Sequence, residues 1–133
     1  METKYSMESR FMEMLMNMQR CSDASRALYD ELKSDPRLNS IVVFAHHNGD
    51  HCFQVNFSKP YKDVYGISIS YPMDLCRNTT GYPETIETAL IDATGELCYM
   101  DELGYDDVCR FDSANEVVNE ILRLRNVFSR LMD

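Results

Sequence analysis

Helical spacing at both ends of the chain and strand-like alternation between them limit the possible folds more than any other feature of the sequence. From Met7 the apolar or small residues Met7, Phe11, Met14, Met18, Cys21, Ser25, Leu28 and Leu32 recur at four-three-four-three intervals. That spacing lays them on one stripe of a helix over about residues 5 to 33. Met12, Leu15 and Met16 widen the stripe in its first half, whereas Cys21 and Ser25 weaken it later. Ser22-Asp23 could cap a second helix, so one bent helix and two helices both satisfy the pattern. Asp35-Pro36 ends the segment, because the residue before proline is pushed out of the helical region. At the other end, Ser113-Ala114-Asn115-Glu116 is a capping box. Behind it Val117, Ile121, Leu124, Phe128 and Leu131 repeat the same spacing, which predicts a helix over about 113 to 132. Arg123, Arg125 and Arg130 stand toward its end, where the helix dipole favours cations.

Between the helices the period changes to two. In SIVVFAHHNGDHCFQVNFS, Asn48-Gly49 is a strong hairpin signal. A two-residue turn there sets His47 opposite Asp50, His46 opposite His51, Phe44 opposite Phe53 and Val42 opposite Val55. One face then reads Val42, Phe44, Phe53, Val55 and Phe57, and it is the predicted core face. SKPYKD reads as a turn, and Tyr65, Ile67, Ile69 and Tyr71 alternate with small residues as a strand with one buried face. Residues 73 to 84 form the longest predicted loop. TIETALI and ELCYM flank Asp92-Ala93-Thr94-Gly95 as a second hairpin, with Gly95 suited to a left-handed turn position. The fold class is therefore α+β, a single domain over residues 1–133. It has a long N-terminal helix or two helices, an antiparallel four- to five-stranded sheet of hairpins, and a long C-terminal helix.

Composition narrows function chiefly by exclusion. A chain of 133 residues with 44% hydrophobic side chains can bury a core without staples. METKYSMESR is followed by no long apolar run, so neither a secretory signal nor a spanning helix is expected. Five cysteines without CxxC spacing read as reduced thiols of an intracellular, cytoplasmic protein. A net charge of −9 disfavours nucleic acid, whose phosphates require a basic footprint. The charge is also uneven, since residues 84 to 120 hold eleven acidic side chains and only Arg110 as a base.

The histidines of HHNGDHC invite a metal reading, but the hairpin register divides them. His46 and His51 fall on one face, and His47, Asp50 and Cys52 on the other, too few together for a zinc site. The bland alternative is a polar hairpin tip with a His47–Asp50 contact and a His46–His51 stack. Cys98 and Cys109 lie among carboxylates that would raise their thiol pKa, and Cys76 has only Arg77 beside it, so no cysteine nucleophile is expected. The carboxylates of DELGYDD are adjacent but lack the asymmetry that acid–base catalysis requires. Glycine-rich phosphate loops, calcium loops and serine-nucleophile elbows are absent from the sequence. No cofactor is expected.

The candidates that remain are surfaces for a protein partner. Phe11, Met14 and Met18 lie on the wide apolar stripe near the N-terminus, where a homodimer could form. Asp101, Glu102, Asp106 and Asp107 form an acidic surface that could receive a basic protein.

The stretch ETALIDATGELCYMDELGYDDVCRFDSANEVVNEILRL, residues 87 to 124, resembles a hairpin-plus-helix module of short uncharacterised proteins in large DNA viruses and phages. The resemblance implies a viral accessory or virion-associated context, in host cytoplasm or virion, and carries no activity. The order of helix, strands, Tyr71-Pro72, GELCYM and terminal helix also resembles the ubiquitin-conjugating-enzyme and RWD superfamily, in which Cys98 would be the thioester cysteine. The sequence departs from that pattern in having no His-Pro-Asn before Cys98 and no tryptophan, so the resemblance implies a catalytically silent relative. The expectation is a non-enzymatic protein-interaction module, with such a relative and an acidic inhibitor of a basic, nucleic-acid-binding protein as the alternatives.

Overall fold

A computed structural model describes residues 4–72 and 84–132. Helix α1 (Lys4–Lys33) leads through a 3₁₀ turn (Pro36–Leu38) into strands β1 (Val42–Phe44), β2 (Cys52–Tyr61) and β3 (Val64–Ser70). Strands β4 (Ile86–Ile91) and β5 (Leu97–Cys98), a second 3₁₀ turn (Asp101–Leu103), β6 (Cys109–Phe111) and helix α2 (Ala114–Met132) complete it. The six-stranded antiparallel sheet runs β1-β2-β3-β4-β5, and β6 also pairs with β4. β5 takes Leu90 and Ile91, whereas β6 takes Ile86, Glu87 and Thr88, so the two short strands share one edge of β4 end to end.

Both helices pack on β2 and on each other, which places the core on one face of the sheet. β2 contributes Phe53, Val55 and Phe57, β3 contributes Ile67 and Ile69, and β4 contributes Ile86 and Leu90. These residues alternate along their strands, as a sheet with one covered face requires. From α2 the stripe Val117, Ile121, Leu124 and Phe128 is buried, while its last predicted member, Leu131, is exposed. Phe128 meets Phe57 edge-on at 4.9 Å and stacks on Tyr61 at 5.3 Å. The α2 cap forms nearly as the sequence implies, with the Glu116 amide donating to Ser113 Oγ at 3.2 Å. The Glu116 carboxylate, however, accepts from the Asp112 amide rather than from that of Ser113.

The N-terminal segment is one unbroken helix. Of the two residues that weakened its stripe, Ser25 meets His47 and Cys21 is buried and disulfide-bonded; Asn17, also buried, accepts from Arg20. Asp35 then caps the 3₁₀ turn that Pro36 begins. The second hairpin also forms. Asp92 Oδ1 accepts from the Thr94 amide, the Thr94 hydroxyl and the Glu96 amide, and Gly95 takes φ 85°. The Thr94 hydrogen bond holds the Asp92 carboxyl below its ordinary pKa.

Several expectations are corrected. Phe44 pairs with Val55 rather than with Phe53, and Val42 pairs with Phe57, so the first hairpin is shifted by two residues. An even shift leaves the paired strand residues on their predicted face, which is why Val42, Phe53, Val55 and Phe57 are nonetheless buried, with Phe44 partly so. The cause is His47, which turns into the core and spends residues that a two-residue turn would have paired. The turn expected over SKPYKD is confined to its last two residues, because β2 continues through Pro60 to Tyr61 and the chain reverses at Lys62-Asp63, with Lys62 at φ 50°. Tyr65 is exposed although Ile67, Ile69 and Tyr71 are buried. The sheet gains β6 from the segment expected to be an acidic loop. Cys21 is disulfide-bonded, so the reading of five reduced thiols fails there, while Cys52, Cys98 and Cys109 are free. The expected loop of residues 73–84, with Cys76 and Arg77, lies outside the described residues except for Glu84.

Candidate functional site

Helix α1 is covered only in its second half. Its buried residues begin at Asn17 and continue through Cys21, Ser25, Leu28, Tyr29 and Leu32. Ahead of them Met7, Phe11, Met12, Leu15 and Met16 are exposed, Phe11 at 57% and Met7 at 61%. Met14 and Met18 are half-buried at the boundary. Of the stripe Phe11, Met14 and Met18, then, the first is presented to solvent and the other two lead back to the core. A run of exposed large apolar side chains on one helical segment is unusual for a solitary chain.

The acidic segment is a built lobe rather than a loose loop. Met100 and Tyr105 close it, the amide of each donating to the carbonyl of the other at 2.8 and 3.1 Å. Leu103 and Tyr105 point inward and are fully buried, while Asp101, Glu102, Asp106 and Asp107 are exposed around them. Glu102 accepts from Lys62 Nζ at 3.2 Å and from the Tyr61 hydroxyl at 3.3 Å. Asp107 accepts from the Val108 amide. Arg110 reaches across to Glu87 on β4. The expectation of a single nearby cation is therefore incomplete, since Lys62 comes from the β2–β3 turn and Arg123 from α2.

Beneath the lobe lies a polar chain that the sequence did not reveal. Tyr105, inaccessible to solvent, donates its hydroxyl proton to Glu120 at 2.6 Å, leaving Thr88 to donate to the Tyr105 oxygen at 2.8 Å. Glu120 accepts from Arg123 Nε and Nη2 at 2.6 and 2.9 Å, and Nη2 also donates to the Leu103 carbonyl. Burial, with Glu120 alongside, pushes the Tyr105 hydroxyl well above its ordinary pKa, and Glu120 holds Arg123 protonated. A permanently protonated tyrosine held in this way ties lobe, sheet and helix together. A clue was available in ELGYDD, where leucine and tyrosine two apart in an acidic run are the inward pair of a lobe.

The histidines are placed quite differently from the expected polar tip. His47 is buried, its Nδ1 accepts from the Gly49 amide at 3.0 Å, and its Nε2–H therefore donates to Ser25 Oγ at 3.0 Å. Tyr29 packs edge-on against Phe44, His47 and Phe53 and donates to the Ala45 carbonyl. Burial, followed by the nearby Arg26, lowers the His47 pKa. The predicted His47–Asp50 contact is replaced by these bonds. Among the described residues no three histidine, cysteine or carboxylate side chains gather to hold a metal ion.

Cys98 pairs with Leu90 in the sheet, and burial followed by Asp92 and Asp63 pushes its thiol up. Burial likewise raises Cys109 and Cys52. That is the reverse of what activates a thiol nucleophile. No helix among the described residues is long and apolar enough to cross a membrane. No family model, curated protein or solved structure matches the chain.

Proposed function

We propose that this chain is a non-enzymatic protein-interaction module that pairs with a second copy of itself through the N-terminal half of α1. The viral accessory or virion-associated setting implied by the resemblance at residues 87–124 is part of that reading. The carrying observation is the exposure of Met7, Phe11, Met12, Leu15 and Met16 ahead of the first buried residue of α1, Asn17. Charge supports a second copy as the occupant. Between Met7 and Arg20 two glutamates and two arginines cancel, so two α1 segments can meet without net repulsion. The segment 84–120, with its eleven acids and one base, would repel its own copy. Methionine suits such a contact because its unbranched side chain adapts to the shape opposite it.

Light scattering at high micromolar concentration tests the pairing. A dimer mass is expected for the native chain, and a monomer mass with an unchanged circular-dichroism spectrum for Phe11→Glu with Leu15→Glu. A native monomer at that concentration overturns it.

The exposure of Asp101, Asp106 and Asp107 on a rigid lobe favours a second reading, an acidic surface for a basic, nucleic-acid-binding protein. Such binding weakens with salt, because charges are screened beyond about 8 Å at physiological ionic strength. Replacing Asp101, Glu102, Asp106 and Asp107 with their amides should abolish capture of a basic partner at low salt. Unchanged capture removes this reading.

A further inference from the structure

The molecule carries a cleft whose charge is opposite to that of the chain. It opens between the first 3₁₀ turn, β2 and the C-terminal end of α2, with a volume of about 580 Å³. That is within the range of about 300 to 1,000 Å³ that small-molecule sites occupy. Its described lining holds Arg37, Lys59 and Arg125 and no carboxylate, in a chain of net charge −9. By contrast, the cleft of about 610 Å³ between α1 and the start of α2 is rimmed by Asp23, Glu31, Glu84 and Asp112.

The three cations are not equivalent. Arg37 is held by Asp35 through bonds of 3.1 and 2.7 Å and also donates to Asn115, so its charge is already balanced. Lys59 and Arg125 are exposed and have no ion-pair partner among the described residues. Ile41 and Met132 supply the accessible apolar side chains of the lining, whose Phe57 and Phe128 are almost wholly buried. Ser40 and Ser129 add hydroxyls, and Ser40 sits at φ 66°, one of two non-glycine residues in the left-handed region among the described residues. A strained residue at the lip of a cleft fits a function for that cleft better than it fits a connection whose only task is to join two elements.

We propose that this cleft binds an amphipathic anion, with a carboxylate or phosphate head against Lys59 and Arg125 and an aliphatic or aromatic body against Ile41 and Met132. Both heads offer the same chemistry to a guanidinium and an ammonium, namely negative oxygens that accept charge-assisted hydrogen bonds. The apolar body displaces water from Ile41 and Met132, and the hydroxyls complete the shell around the head.

Titration of the full chain with decanoate, decyl phosphate and decanol, each below its aggregation concentration and followed by amide chemical shifts, tests the proposal. Saturable binding of the anions is expected at least about tenfold tighter than that of decanol, the factor that one charge-assisted hydrogen bond supplies. The exposed double variant Lys59→Gln with Arg125→Gln should lose that preference while keeping its melting temperature. Phe11→Glu should retain it, which separates this site from the α1 surface. Binding of only one of the two anions supports the proposal and fixes the head group. Equal affinity for decanol, a preference that survives the double variant, or loss of binding in Phe11→Glu overturns it.

Discussion

The first half of α1 and the whole of α2 carry the same four-three spacing of apolar residues, yet they meet different surroundings. Along α2 the positions Val117, Ile121, Leu124 and Phe128 are buried, and the helix is also fastened by Glu120 and Arg123 to Tyr105, Thr88 and Leu103. Along the start of α1 the equivalent positions Met7 and Phe11 are exposed, and Met12, Leu15 and Met16 lie bare as well. The difference is one of length. A helix of 30 residues rising about 1.5 Å each is roughly 45 Å long, more than a sheet of short strands can cover. Periodicity therefore identifies the face of a helix that will be apolar, and only the size of the opposing layer decides whether that face is core or interface.

The contrast can be broken by substitution. Phe128→Ala should lower unfolding free energy by about 3 to 5 kcal/mol, the usual cost of deleting a buried aromatic, measured by urea denaturation. A loss below about half a kilocalorie per mole would mean that α2 is not the buried partner. Glu120→Ala should cost about 2 to 3 kcal/mol, because it leaves the Tyr105 hydroxyl buried without its acceptor while Arg123, half exposed, can return to water. A near-neutral result would show that packing alone holds the lobe.

His47 gives a smaller, pH-dependent effect on the covered half of α1. Its folded pKa is depressed below the unfolded value of about 6.5 by burial, so its contribution is complete above that value. It is lost as pH falls from there through the folded pKa, since protonation needs Nδ1 to give up the Gly49 amide. The urea midpoint of the native chain should therefore drop below about pH 6.5, and His47→Leu should flatten that limb. An identical slope in the variant would assign the acid sensitivity to other groups. Smallest of all, Phe11→Ser should change the unfolding free energy of the monomer by no more than about 0.5 kcal/mol, as for surface positions generally. A loss of several kilocalories under monomeric conditions would show that Phe11 is core and erase the contrast.

Much of this fold was legible because its signals are local. Both helices, the Asp92–Gly95 turn, the Ser113 cap and the core faces of β2 and β3 follow from spacing and turn chemistry within a few residues. The errors arose where distant groups overrode a local preference. Asn48-Gly49 favours a tight turn, but Ser25 and Tyr29, more than fifteen residues earlier, draw His47 inward and hold the Ala45 carbonyl, and the connection lengthens. β6 escaped notice because three residues pairing with β4 leave almost no alternation to read. At the candidate surfaces, exposure of Asp101, Asp106 and Asp107 followed from composition. The supports beneath them, Tyr105 on Thr88 and Glu120, join residues from three separate segments and have no local signature.

The sharing of β4's outer edge has a consequence for how this chain can associate. A sheet grows by offering unpaired backbone amides and carbonyls to another strand, and long flat edges invite that growth. Here one edge is finished by β5 and β6, of two and three residues, and the other by the three residues of β1. Beyond β1, the overhang of β2 contains Pro60, which has no amide to donate. Among the described residues neither border therefore offers a long, flat template for strand addition.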